Sequence, residues 1–151
     1  MATRSTIALE YADGTVDMIY CHWDGYLEHN GTILEKHWKD PFKLQTMMQL
    51  GDMSSLGKDV GVQHDFNERN QYDEDDIATQ CTFYGRDRNE SRTQARRFKS
   101  YEDYRANSQT EEFNYCLRNI EGVATWFVEF YGEFDGKLTE AMAQRAMEAV
   151  A

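Results

Sequence analysis

Apolar and polar residues alternate twice near the start of the chain. Ile7, Leu9 and Tyr11 alternate with Thr6, Ala8 and Glu10, and Val16, Met18 and Tyr20 alternate with Asp17, Ile19 and Cys21. Period-2 alternation is the mark of a strand with one buried face. Asp13-Gly14 lies between the two runs, and this dipeptide favours the positive φ angles of a tight hairpin turn. The period then changes. Leu27, Gly31, Leu34 and Trp38 share one face at helical spacing. A second helix opens at Asp40-Pro41, where Asp caps and Pro suits the first turn; Leu44, Met47, Met48 and Leu50 face inward, and Gly51 stops it. Residues 51–76 are rich in Gly, Ser, Asn and Asp and read as a long irregular loop, anchored by Met53, Leu56, Val60, Val62 and Phe66. Alternation returns over residues 77–84. Residues 91–106 read as a helix that breaks at Ser100, because Ser100-x-x-Asp103 resembles a capping box. Phe113, Tyr115 and Leu117 mark a fourth strand, residues 123–131 a fifth, and Thr139 caps a terminal helix with Met142, Ala146 and Ala149 inside.

This order predicts an α+β fold. One mostly antiparallel sheet of about five strands, two hairpins plus one strand, carries helices on one face. The chain of 151 residues suits a single domain spanning 1–151. It is 40% hydrophobic, with 8 Phe, 9 Tyr and 3 Trp, enough to build a core. No apolar run reaches the roughly 20 residues of a membrane span, and residues 1–6 lack the apolar stretch of a secretory signal. Neither a membrane nor a secreted setting is therefore expected. Cys21, Cys81 and Cys116 are odd in number and widely spaced, which predicts reduced thiols in a cytosol.

Charge narrows the partners. There are 27 acidic residues against 16 Lys and Arg, a net charge of −11. Affinity for nucleic acid comes from basic residues, so broad nucleic-acid binding is not expected. An acidic surface instead suits the basic groove of another protein, or simply solubility. The charge is uneven: residues 86–99 hold six basic and two acidic residues, so this stretch is +4 and the remainder is −15. Asp73-Glu74-Asp75-Asp76 precedes it. Pairing between these neighbouring blocks is the plain expectation. Displayed beside Tyr72, the four acids form a candidate partner-binding surface instead.

Two further segments carry candidate chemistry. Tyr20-Cys21-His22-Trp23-Asp24-Gly25-Tyr26 gathers polar and aromatic groups where a strand ends, a common location for a site. His22 could serve as a base oriented by Asp24, or Cys21 as a nucleophile, although neighbouring strand residues face opposite ways. The alternative has Trp23 and Tyr26 as core anchors and Asp24 bonding the turn. In Phe83-Tyr84-Gly85-Arg86-Asp87-Arg88, the Arg86 and Arg88 forks could bind a phosphate while Tyr84 stacks on a base. Pairing of these arginines with the acidic block is the competing reading. His22, His29, His37 and His64 are the histidines available to a metal; His29 and His37 are two helical turns apart, and no Cys-x-x-Cys or His-Glu-x-x-His occurs, so no metal site is expected. No phosphate-binding Gly-rich loop, nucleophile elbow or dinucleotide fingerprint is present, and no cofactor is expected.

Taken together, residues 20–26, the segment Gly51-Asp-Met-Ser-Ser-Leu-Gly57 and residues 83–88, with the opening Arg4-Ser-Thr-Ile7, resemble a family of small uncharacterised proteins of bacteriophages and prophage-carrying bacterial genomes. The likeness covers about residues 4–90 and transfers no catalytic residue. It implies an accessory protein made in the host bacterial cytoplasm. In that setting the first expectation is an inhibitor that binds a host protein with a basic surface, such as a defence effector, by acidic mimicry of nucleic acid. The second is a protein that binds or sequesters a nucleotide through Tyr84, Gly85, Arg86 and Arg88. A virion component is the third.

Overall fold

The computed structural model describes residues 2–67, 72–73, 76–108 and 111–150. Strands β1 (Ser5–Glu10) and β2 (Val16–Cys21) form the first hairpin. Its turn closes as the alternation predicts. Gly14 takes φ +91°, and the Asp13 carboxylate accepts from the Thr15 amide at 3.0 Å and from its hydroxyl. The second hairpin joins β6 (Phe113–Ile120) and β7 (Val123–Phe130). Both lie in one sheet, and they meet through a parallel pairing of β1 with β6, from Ser5 opposite Phe113 to Leu9 opposite Leu117.

The sheet is larger than the sequence pattern predicts. It has eight strands and is mixed, though mostly antiparallel. The additional strands are short: β3 (Met53–Ser55), β4 (Thr82–Phe83), β5 (Arg96–Phe98) and β8 (Phe134–Lys137). The main order is β4-β3-β2-β1-β6-β7-β8, and β5 shares the outer edge of β2 with β3. Residues 51–76 are thus not one irregular loop, since β3 lies inside them and Met53 and Leu56 are buried. The strand expected at 77–84 contracts to β4 and single bridges at Ala78 and Gln80. The helix expected at 91–106 divides. Its first part is β5, drawn to β2 by side-chain pairing, and only α4 (Tyr101–Asn107) is helical. The break falls at Ser100, whose hydroxyl accepts from the Asp103 amide at 3.0 Å while Asp103 accepts from the Lys99 amide.

A π-helical turn (Leu27–Gly31) runs directly into α1 (Thr32–His37), and α2 (Pro41–Leu50) follows with Asp40 as its cap. These helices and α5 (Leu138–Val150) cover the face carrying Ile7, Ile19, Tyr115 and Val128. Trp38 is fully buried in this core, and its indole N–H donates to Gly57 O at 2.9 Å. The expectation of helices on one face is corrected by α4. Tyr104 of α4, with Phe98 of β5, packs on Ala8, Met18 and Cys116 on the other face of the sheet. A sheet this size exposes two faces, and each apolar stripe needs a cover. Among the described residues no helix is long and apolar enough to cross a membrane.

Candidate ligand site

The end of β2 sets the site. Beyond Cys21, the amides of His22 and Trp23 donate to Met53 O and Ser54 O, so the chain keeps to β3 for two more residues. It then turns sharply. Asp24 takes φ +59°, a left-handed conformation uncommon outside glycine but easiest for Asp and Asn. Gly25 follows with its amide on Thr3 O at 2.8 Å and its carbonyl accepting from the Tyr115 hydroxyl at 2.6 Å. A Cβ here would meet Ser5 Cβ at 2.7 Å and Thr3 O at 2.9 Å, so only glycine fits. The π-helical turn comes next, with the Gly31 amide on Tyr26 O and the Thr32 hydroxyl on Leu27 O. Such turns are rare and concentrate at functional sites. This one carries His29 and the fully buried Asn30.

A cavity of about 440 Å³ opens between this turn, β3 and the segment leading to β4. That volume lies in the range of small-molecule sites, roughly 300–1,000 Å³. Trp23, Phe66 and Tyr72 give it aromatic walls, and Trp23 and Tyr72 are 44% and 54% exposed. Ser54, Ser55 and Thr82 add hydroxyls, Asp24 a carboxylate and His29 an imidazole. Phe66 is held by stacking on Tyr84, with ring centroids 5.6 Å apart, and the Arg88 guanidinium lies 4.9 Å over its ring. Burial pushes the Tyr84 hydroxyl above its ordinary pKa although it is hydrogen-bonded to Ser54. His22 lies outside the lining; its Nδ1 is 2.6 Å from the Tyr20 hydroxyl, and its ring stands edge-on to Trp23 at 4.8 Å, backing the indole. Tyr26 is half-buried against the main core.

The other sequence candidates fall elsewhere. Glu74 and Asp75 lie outside the described residues. Asp73 pairs with Lys58 at 3.0 Å and closes a turn by accepting from the Ile77 amide, and Asp76 is exposed at φ +59°. Tyr72 belongs to the cavity rather than to a separate acidic surface. Tyr84, Gly85, Arg86 and Arg88 form the five-residue helix α3 (Tyr84–Arg88). Arg86 faces inward, donating to Val60 O and Cys81 O, both at 2.9 Å, and to Asp87. Asp87, its side chain fully buried, also accepts from the Phe83 and His64 amides. This network engages the Arg86 fork with the protein's own groups, and Arg88 pairs with Glu90. Four arginines of the basic stretch 86–99 pair with acids outside the 73–76 block: Arg86 with Asp87, Arg88 with Glu90, Arg96 with Asp52 and Arg97 with Asp17. Among the described residues no cluster of three or more His, Cys, Asp or Glu could hold a metal ion.

The sequence pattern marks Trp23, Asp24 and Tyr72 but overlooks Asn30, Asn67 and Thr82, and treats Phe66 only as a loop anchor and His29 only as one of four histidines. The signal for His29 is its neighbour, since a polar His-Asn pair sits where the Leu27–Trp38 stripe should be beginning a regular helix. Comparison with protein-family models, with curated proteins and with solved structures finds no match to this chain.

Proposed function

We propose that the protein is a phage-type accessory protein of the bacterial cytoplasm that binds a small ligand with a planar ring in the cavity beside β3. One observation carries this reading. Residues distant in sequence meet on one concave surface, Trp23, Phe66 and Tyr72 with aromatic rings and Asp24, His29, Ser54, Ser55 and Thr82 with unlike polar groups. Exposed Trp and Tyr side chains are costly to leave in water and are favoured where a partner ring will cover them. The nucleotide reading through Arg86 and Arg88 therefore moves a short distance, to Trp23, Tyr72 and their neighbours. The test is a thermal-shift and tryptophan-fluorescence screen of nucleosides, nucleotides and other planar metabolites. A ligand at 100 times its dissociation constant should add about 2.7 kcal/mol to stability. Trp23→Ala and Tyr72→Ala should each weaken binding at least tenfold with the fold retained. Unchanged affinity in both variants rejects the site.

A second reading, inhibition of a host protein with a basic surface, is favoured by the charge arrangement. Four of the six basic residues of the 86–99 stretch are paired within the fold, so little positive charge there offsets the acidic excess. It requires a complex that weakens with salt and that forms more slowly, with a flatter salt dependence, when Asp73, Glu74, Asp75 and Asp76 are changed to Lys.

A further inference from the structure

The groups on the cavity wall that lack a partner specify what a ligand must offer. Asn30 is the starting point. It is wholly buried, and its side-chain nitrogen donates to Trp23 O at 3.1 Å. A backbone carbonyl can only accept, so this end of the carboxamide must be the NH₂. The Ser5 hydroxyl and the Cys21 sulfur lie on the same side at 3.5 and 3.6 Å. The amide oxygen is thereby turned to His29, 3.0 Å from its Nδ1. An amide oxygen cannot donate, so Nδ1 carries the hydrogen, and the lone pair of the neutral ring is on Nε2. Nε2 has no partner among the described residues, and His29 lines the cavity. The Asp24 carboxylate, on the same turn, is a second acceptor with no partner among the described residues. Beside the wall's hydroxyls, these two groups are acceptors, and none of its described residues is Lys or Arg.

We infer that the cavity takes an uncharged nucleoside in preference to a nucleotide, with a base N–H donated to His29 Nε2 and ribose hydroxyls donated to Asp24. This rests on the small-ligand reading above. The base supplies the planar ring that Trp23 and Tyr72 can cover, and the sugar supplies O–H donors. A 5′-phosphate brings negative charge beside a carboxylate with no described cation on the wall to offset it. Asn30 is a positioning residue: it acts by fixing the tautomer of His29, without reaching the ligand.

The experiment has two arms. In the first, the protein is labelled with ¹⁵N-histidine and the His29 tautomer is read from its ring-nitrogen shifts. The Nδ1–H form is expected, giving way to a mixture in Asn30→Ala; an Nε2–H ring in the parent protein overturns the inference. In the second, adenosine, guanosine, cytidine and uridine and their 5′-monophosphates are titrated by calorimetry. At least one nucleoside is expected to bind at least tenfold more tightly than its monophosphate, with a loss of tenfold or more in His29→Ala, a half-exposed position where the fold should tolerate change. Monophosphates binding as well as nucleosides, or no nucleoside binding at all, overturns it. Binding of another planar compound that Trp23→Ala abolishes would leave the ligand-site reading standing while ending the nucleoside inference. If no compound in the wider screen binds in a Trp23-dependent way, both fall.

Discussion

Single atoms decide several features of this molecule, and Gly25 is the clearest. Its missing Cβ lets the turn after β2 lie against Ser5 and Thr3. Gly25→Ala should force those neighbours apart and cost about 1–3 kcal/mol, as overpacking of a filled site does; a denaturant titration measures it, and an unchanged midpoint contradicts the close approach. Asp17 offers a test through pH. Burial alone would raise its pKa, but the bonds from Arg97 at 2.8 and 2.9 Å and from the Tyr11 hydroxyl at 2.7 Å prevail, and the carboxyl sits below the ordinary value near 3.8. A depressed folded-state pKa stabilises the fold above the unfolded value and loses that contribution as pH falls through the folded one. Asp17→Asn should therefore be less stable at neutral pH and show a flatter decline between about pH 4 and pH 2. Asp13 and Asp135 are depressed as well and keep part of the slope. At this scale the sequence was readable where residue type is unusual for its place, as with Trp23 and Asp24 at a strand end. Asn30 was hidden because its importance lies in which way its amide is turned, which the Trp23 carbonyl determines.

Elements were legible in proportion to their length. Six- and eight-residue strands give several cycles of alternation, so both hairpins could be drawn from the pattern alone. Strands of two to four residues give two cycles at most, and β3, β4, β5 and β8 owe their conformation to lateral pairing. β5 shows the conflict openly. Ala95, Phe98 and Tyr101 fit a helical period, yet Arg96 reaches Asp52 and Arg97 reaches Asp17 only if the segment lies extended along β2. The π-helical turn escaped notice because five residues at a wider period look like the first turn of an α-helix. Helix α3 is held by a different device, the buried Asp87 carboxylate, which joins Arg86, the Phe83 amide and the His64 amide. Asp87→Ala leaves a largely buried guanidinium without its counter-charge, and should cost about 3–5 kcal/mol. Thermal unfolding of the variant measures this, and a melting temperature within a degree or two of the parent would show the network to be dispensable.

For the molecule as a whole, the sequence conveyed fold class and charge balance but did not show where Arg96 and Arg97 find their counter-charges. Neighbouring blocks of opposite sign need not meet, because strand pairing carries Arg96 and Arg97 away to Asp52 and Asp17. The three cysteines follow the apolar pattern instead. All are free and buried, and burial pushes the thiols of Cys21 and Cys81 up to about 12. A thiolate is the reactive form, so in the folded protein these groups should resist a thiol reagent at neutral pH and titrate as three after unfolding. Fast reaction of the native protein would contradict this burial.

The parallel pairing of β1 with β6 has a consequence for the order of folding. It joins residues 108 positions apart. Closing a loop of that length costs about 2 kcal/mol more entropy than closing one of ten residues. Each hairpin can form on its own side of the gap in microseconds, but their docking must wait. The Tyr115 hydroxyl that grips Gly25 arrives with β6, so the turn that shapes the cavity is completed late. Pulse-labelled hydrogen exchange during refolding should find the Ile19 amide protected early, with the Gly25 and Asn30 amides protected only in the slow phase that also protects the Phe113 amide, which donates to Arg4 O across the β1–β6 seam. Protection of Gly25 together with Ile19 would mean that the first hairpin organises the site without help. If the slow phase is the one observed, the cavity of a nascent chain cannot take its final shape until β6 has left the ribosome.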